Sequence, residues 1–198
     1  MENKLSIEEQ VSNRVTGWLA GKVILSEIEH AKISYGISFM LISFVKISLI
    51  YLVSMILGTL SATTLTHIPF FIIRGYSRGF HAKSSFNCGA TGVVCFSFLP
   101  WLIRVSGLGL KDIDVIIIAI ICTAILYFRA PANTLKNQIV DKKQRNIVKL
   151  KALVINTILF GIIFVSLGYT ERLIASSGLI IASILTLPLE KILWRNEK

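Results

Sequence analysis

The chain has 198 residues, of which 54% are hydrophobic and only 16% are charged, and its formal net charge is +10. Soluble domains carry about 25% charged residues, so this composition indicates an integral membrane protein and excludes a disordered chain, a coiled coil or a disulfide-stapled secreted module. Nucleic-acid binding is also disfavoured, because the basic residues lie between apolar runs rather than in one stripe. We therefore expect a single membrane domain over residues 1–198.

The N-terminal segment, residues 1–32, is polar and is predicted to be cytoplasmic. Between residues 5 and 30, apolar side chains such as Trp18 fall largely on one side of a helix, and charged ones such as Arg14 lie elsewhere. This pattern predicts an amphipathic helix, which either lies on the bilayer surface or packs against the cytoplasmic ends of the other helices.

Several apolar runs follow, and about 20 residues suffice for a helix to cross the bilayer. The first run, 33–73, has roughly twice that length, so we expect a helical hairpin that turns near Gly58. The sequence predicts an all-α, polytopic membrane bundle of about six transmembrane helices, at 35–54, 57–73, 87–103, 113–128, 152–168 and 173–193. The other segments are a candidate catalytic loop and helix start at 74–88, hairpins at 89–128 and 152–193, a basic loop at 129–151 and a tail at 194–198.

The distribution of basic residues predicts the orientation, because cytoplasmic loops of membrane proteins are enriched in Lys and Arg. With both termini inside, the outer loops contain only Arg104, Lys111 and Arg172, and nearly all other basic residues are cytoplasmic. A four-span arrangement, in which the first hairpin does not cross, also keeps both ends inside. The sequence thus predicts a multi-pass protein of the cell membrane with the 74–88 loop in the cytoplasm.

One charged residue, Lys46, lies inside the first predicted span. A charge at this depth is costly unless it is paired or reaches water, and intramembrane charges often have a function. The alternative is that the ammonium group extends along the helix to the cytoplasmic surface.

The densest polar stretch beside the bilayer contains His81 and Cys88, which are two helical turns apart. They share one face if the segment is helical and can meet across a turn if it is not. An imidazole near a thiol can accept its proton and leave a nucleophilic thiolate. Ser84, Ser85 or Asn87 can cap the following helix, whose dipole would favour a negative charge on Cys88. In the alternative, Cys88 only packs and His81 is only solvated.

Other chemistries have less support in the sequence. A zinc site of His81, Cys88 and Cys95 would need side chains about 10 Å apart on a helix to share bonds of about 2.0 to 2.3 Å. Cys95 and Cys122 lie deeper in apolar runs, where a thiol packs as a small hydrophobic group. We expect no metal and no other cofactor.

The polar stretch and its surroundings resemble the accessory gene regulator B (AgrB) family of bacterial quorum-sensing membrane peptidases. The likeness rests on Arg74, Gly79-Phe80-His81-Ala82, Ser84-Ser85-Phe86, Cys88, Tyr35-Gly36, Lys46 and Ala130-Pro131-Ala132. The chain departs from the pattern at Ser38, where many relatives carry an acid, and this leaves the proposed His81 and Cys88 pair untouched.

The resemblance implies a cysteine endopeptidase that removes the C-terminal tail of an AgrD-like pro-peptide, with Cys88 as nucleophile and His81 as its proton acceptor. A thioester would then be displaced to close a thiolactone or lactone ring. The supporting or substrate-binding residues would be Arg74, Gly79, Ser84, Ser85 and Lys46.

The resemblance also implies a homodimer. The basic 129–151 loop suits an acidic peptide tail or anionic membrane lipids as partners. The rival hypothesis is a non-enzymatic peptide transporter or assembly subunit in which Cys88 is structural.

Overall fold

A computed structural model of the chain describes residue 10 and residues 14–18, 26–79, 85–132 and 141–188, with Ser85 and Phe86 described by their backbone alone. The chain divides into two compact units, Met1–Ile50 and Tyr51–Lys198. Throughout the described residues the secondary structure is helical, apart from turns and one isolated bridge between Arg78 and Ala132. The predicted all-α class is confirmed.

The named helices overlap the predicted apolar runs, although α6 begins at Lys142, inside the predicted basic loop of 129–151. In chain order they are α1 (Glu27–Ile56), α2 (Leu60–Ser77), α3 (Ser85–Val93), α4 (Leu99–Ser106), α5 (Asp112–Arg129), α6 (Lys142–Ser166) and α7 (Tyr169–Ile184). A π-helical turn, Val94–Phe98, joins α3 to α4, so these two helices form one continuous helical segment.

Three of the described helical segments are long and apolar enough to cross a membrane. They are α1, the α3–α4 segment from Asn87 to Ser106, and α6. The other described helices fall short for different reasons: α2 is less apolar and contains His67 and Arg74, α5 has three charged residues, Asp112, Asp114 and Arg129, among its 18, and α7 has only 16 residues. Membrane association is therefore supported by three helices, and the count of six spans stays a prediction.

Helix α1 begins at a capping box formed by Ser26 and Glu29. The Ser26 backbone N donates to Glu29 Oε2 at 2.9 Å, and the Glu29 backbone N donates to Ser26 Oγ at 3.3 Å. These reciprocal bonds satisfy backbone donors that a helix start leaves free. The predicted boundary at residue 32, between the N-terminal segment and the first apolar run, therefore falls inside α1. Of the predicted amphipathic helix, residues 14–18 are helical and most of the remainder up to residue 25 lies outside the described residues.

The turn between α1 and α2 lies where the sequence predicted it. Gly58 has a φ of 66°, a left-handed conformation that glycine adopts without steric cost. Beside this turn, Ser54 Oγ lies 2.7 Å from Thr63 Oγ1 and donates to Ser97 Oγ at 3.0 Å. These buried hydroxyl groups join the end of α1, the start of α2 and the π-helical turn.

Helices α2 and α7 approach each other closely at Gly178. A Cβ atom there would collide with the carbonyl oxygen of Thr66 and would lie 3.3 Å from the backbone N of Phe70. The Thr66 hydroxyl donates to the carbonyl oxygen of Ile174 at 2.9 Å. The buried face of α7 is rich in small residues, which allow such backbone approach between helices in a membrane.

The main hydrophobic core lies where α2, α5, α6 and α7 meet. Its largest buried members include Ile73, Val115, Leu126, Phe160, Ile163 and Leu179. A polar contact crosses the same region, since Asn156 Nδ2 donates to Thr123 Oγ1 at 3.0 Å and links α5 to α6. The core thus fixes α2, which leads into the candidate site.

Helix α7 ends at Ile184, well before residue 193, where the predicted span ended. Turn residues follow it as far as Pro188, and a residue that precedes proline is disfavoured in the α-helical conformation. Residues 189–198 lie outside the described part of the chain.

The Gly178 contact gives a stability prediction. We expect Gly178→Ala to lower the thermal unfolding midpoint in detergent, because overpacking of this kind costs about 1 to 3 kcal/mol. Gly161→Ala on α6 is the matched control, since a Cβ atom there meets no atom within 4 Å, and removing a helical glycine stabilises by about 0.5 to 1 kcal/mol. Equal midpoints for the two variants would contradict the tight α2–α7 contact.

Candidate active site

The candidate site lies between the end of α2 and the start of α3. Helix α2 ends at Ser77, and Arg78 then adopts a φ of 53°, which is uncommon for a residue with a side chain. Helix α3 begins at Ser85, which places Cys88 in its first turn. Residues 80–84, which include the predicted His81 and Ser84, lie outside the described residues.

The position of Cys88 agrees with the expectation that it follows a helix start. Its side chain is half-buried and its thiol is free of any disulfide. The N-terminal turn of a helix carries partial positive charge, which attracts anionic groups. Asn87, one of the predicted cap residues, is exposed and lies inside the helix instead of at its cap.

Arg74 supplies a positive charge on the last turn of α2. Its Nη1 donates to the carbonyl oxygen of Arg78, which ties the guanidinium to the segment that leaves the helix. Burial lowers the pKa of Arg74 to about 10, and the negative charge of a Cys88 thiolate opposes this shift. Arg74 is therefore cationic at neutral pH and interacts electrostatically with Cys88.

Gly79 occupies a position that no other residue fits without strain. Its φ is 130°, and a Cβ atom would collide with the carbonyl oxygen of Leu185 and lie 2.5 Å from Arg74 Nη1. Leu185 directly follows α7, so this segment rests on the end of that helix. The lack of a side chain at Gly79 therefore allows the backbone shape of this segment.

The exit of α5 supports the same segment from another side. The Ala132 backbone N donates to the Ser77 carbonyl oxygen at 2.9 Å, and Ala132 pairs with Arg78 in a parallel bridge. Helix α5 ends at Arg129, one residue beyond the predicted span of 113–128 and directly before Ala130-Pro131-Ala132. Sequence reasoning missed the contacts made by Ala132 and Leu185, because they are backbone contacts between distant parts of the chain.

The remaining candidates lie elsewhere. Lys46 lies in the Met1–Ile50 unit, half-buried on α1. Cys122 packs in the main core, as predicted, and Cys95 is half-buried in the π-helical turn. His67 is buried against aromatic rings, with its ring centroid 4.6 Å from that of Phe96. Within the described ranges, no three His, Cys, Asp or Glu side chains form a group that could hold a metal ion.

Comparison with known proteins agrees with the residue pattern around this site. The sequence profile of the family described as Accessory gene regulator B matches residues 12–192. The Accessory gene regulator protein B of Staphylococcus saprophyticus subsp. saprophyticus is 30% identical over 165 residues, which cover 83% of this chain and 85% of that protein.

A second relative matches at a similar level. The protein of the same name from Staphylococcus haemolyticus is 31% identical over 172 residues, which cover 87% of this chain and 89% of the relative. No solved structure matches the chain. Because the family profile extends over nearly the whole length and the relatives are matched over most of theirs, the chain belongs to the accessory gene regulator B family.

Proposed function

We propose that this protein is a membrane cysteine endopeptidase that cleaves the C-terminal tail from an AgrD-like pro-peptide and allows the remaining peptide to cyclise. The observation that carries the proposal is the placement of Cys88, a half-buried free thiol in the first turn of α3, directly after the segment that Arg74 and Gly79 hold. Membership of a family named for accessory gene regulation supports a quorum-sensing peptide as the substrate class.

In the proposed reaction, the Cys88 thiolate attacks the carbonyl carbon at the cleavage point, and His81 holds the proton that the thiol has lost. Collapse of the tetrahedral intermediate breaks the carbon–nitrogen bond, and His81 donates the proton to the departing amine. The C-terminal tail leaves, and the rest of the peptide stays on Cys88 as a thioester. A Cys or Ser of the peptide then attacks this thioester, closes a thiolactone or lactone ring and releases Cys88.

Arg74 and Gly79 are positioning residues in this mechanism. The bond of the Arg74 guanidinium to the Arg78 carbonyl oxygen holds the segment that leads toward His81. Gly79 lets that segment approach Leu185 closely. Ser84, Ser85 and Lys46 remain candidate substrate-binding residues on the family likeness alone.

The proposed topology is multi-pass, with both termini and the site in the cytoplasm, where a newly made peptide can reach Cys88. The charge asymmetry of the loops supports it, because the segment between Arg129 and Lys151 is strongly basic. The family likeness further supports a homodimer.

The first test measures covalent catalysis by intact mass spectrometry of the protein in lipid after incubation with its pro-peptide. We expect a truncated peptide and an adduct on the wild type that hydroxylamine removes. Cys88→Ala and Cys88→Ser should form neither product nor adduct, and His81→Ala should lose nearly all cleavage. Cys95→Ala and Cys122→Ala are the matched thiol controls and should stay active.

Two outcomes would contradict the peptidase proposal. Full cleavage by Cys88→Ala would remove Cys88 from the mechanism. Binding of a confirmed partner peptide by the wild type, with no cleavage and no adduct, would favour a transporter or assembly subunit instead.

A second test addresses the segment that Gly79 anchors. We expect Gly79→Ala to lower the cleavage rate at least about tenfold, because a shift of about 1 Å in catalytic geometry can cost two orders of magnitude. Gly75→Ala is the matched control on the same segment, since a Cβ atom there meets no atom within 4 Å. Equal cleavage rates for the two variants, measured with protein of native helix content, would show that the contact between Gly79 and Leu185 does not position the site.

The third test counts membrane crossings with single cysteines at Lys111 and Lys143 in the inactive background Cys88→Ala, Cys95→Ala and Cys122→Ala. These exposed residues lie at the starts of α5 and α6. If α5 crosses, an impermeant thiol reagent should label Lys111→Cys only from outside the cell and Lys143→Cys only from inside. Labelling of both from one side would overturn the six-span topology, since only α5 separates them.

A further inference from the structure

An open apolar groove of about 590 Å³ runs along the seam between α5 and α6, remote in sequence from the candidate site. Its walls are formed by Ala119, Ile120, Thr123, Ala124, Tyr127 and Phe128 of α5 with Leu153, Thr157 and Phe160 of α6. The floor is stiffened by the hydrogen bond from Asn156 to Thr123 at 3.0 Å.

The groove matches one leaflet of a bilayer in length. From Ala119 to Phe128 the helix rises roughly 13 Å at 1.5 Å per residue, and half of a hydrocarbon core of about 30 Å is about 15 Å. The lining is almost wholly apolar. A hydrocarbon chain of a single leaflet fits these dimensions better than a partner helix, which would contact the protein across both leaflets.

A cation stands directly beyond one end of the groove. Lys149 Nζ lies 4.0 Å from the centroid of the Tyr127 ring. Arg145, Lys149, Leu153 and Thr157 follow one another at four-residue intervals, so the groove-lining face of α6 continues into its basic residues. Arg129 ends α5 at the same end of the pair. Only one acid, Asp141, occurs between Arg129 and the end of α6.

Asp141 caps α6 by accepting from the backbone N of Lys143 at 2.9 Å, and its single negative charge is outnumbered by the seven basic residues from Arg129 to Lys151. The cationic end therefore retains an excess of positive charge. The apolar groove has the length of one leaflet and opens onto this cluster of basic residues. It therefore complements a molecule that has an acyl chain and an anionic headgroup.

We propose that the α5–α6 groove is a binding site for an anionic phospholipid, with an acyl chain between Ala124 and Leu153 and the phosphate at Lys149. Cationic side chains and the ring of Tyr127 lie at the depth where a headgroup meets the acyl chains. The proposal rests on the crossing of α5 and is independent of the chemistry at Cys88. It adds a site to the protein that the peptidase reaction does not use.

The test is native mass spectrometry of the full-length protein in mild detergent with equal amounts of phosphatidylglycerol and phosphatidylcholine. We expect the wild type to retain phosphatidylglycerol preferentially. Lys149→Gln should weaken that retention about fivefold, since one basic residue near an anionic surface contributes roughly that factor. Ala124→Phe should abolish retention although no charge changes, because the new ring fills the groove.

Two variants serve as matched controls. Lys111→Gln removes an exposed charge at the other end of α5, and Ile116→Phe adds a ring at an exposed position outside the groove lining. Both should bind lipid as the wild type does. Circular dichroism verifies that every variant compared keeps its helix content, and Lys149→Gln tests the site even if Ala124→Phe does not fold.

Three results would overturn the proposal. The first is equal retention of the two lipids by the wild type, and the second is unchanged retention by both Lys149→Gln and a folded Ala124→Phe. The third is conversion of a dimer to a monomer by Ala124→Phe with lipid retention unchanged, which would assign the groove to a second copy of the chain. Peptide cleavage by the same samples, measured separately, distinguishes failure of the lipid site from failure of the peptidase proposal.

Discussion

The backbone contact between α2 and α7 at Gly178 is the constraint on which the geometry of the candidate site depends. The lack of a side chain there allows the Thr66 carbonyl to approach, and both helices then run on to meet again where Gly79 faces Leu185. Two glycines thus mark close approaches of these chain segments, Gly178 on α7 and Gly79 just after the end of α2. In hydrocarbon, where apolar side chains gain nothing by leaving lipid, this close backbone packing supplies much of the attraction between helices.

Hydroxyl and amide groups supply the rest of the attraction inside the second unit. Ser54, Thr63 and Ser97 join three helical segments, and Asn156 bonds to Thr123 between two others. Such groups have no water to bond with inside a membrane, so each satisfied pair favours one arrangement of helices over alternatives that leave the groups unpaired. The polar residues of α2, which reduce its hydropathy, are therefore part of what places it.

Local signals in the sequence were sufficient for much of this fold. The turn at Gly58 was predicted from residue type, and α5 ends at Arg129, within one residue of the predicted end of its span at 128. The start of α1 was also visible, because Ser26 and Glu29 have the spacing of a capping box, but the amphipathic pattern of residues 5 to 30 was extended across it.

The support of the candidate site could not be predicted in the same way. Family likeness identifies Arg74, Gly79 and Cys88. The segment that they flank is also contacted by backbone atoms of Leu185 and Ala132, and such contacts cannot be predicted from residue type. The proximity of Arg74 to Cys88 likewise depends on how α2 and α3 are placed and not on their spacing in sequence. Only packing between distant segments decides such contacts.

The π-helical turn at Val94–Phe98 has a consequence for how relatives of this protein are compared. A π turn accommodates about one residue more than an α turn, so it offsets the faces of the helix before and after it by roughly 100°. Cys88 lies on α3, before the π turn, and Ile103 packs against α2 and α7 from α4, after it. The extra residue of the turn therefore sets the direction of Cys88 relative to that of Ile103. Loss or gain of a single residue here during evolution would rotate one half of the segment against the other, so an alignment gap within 94–98 would mark a change in the geometry of the site even where every motif residue is retained.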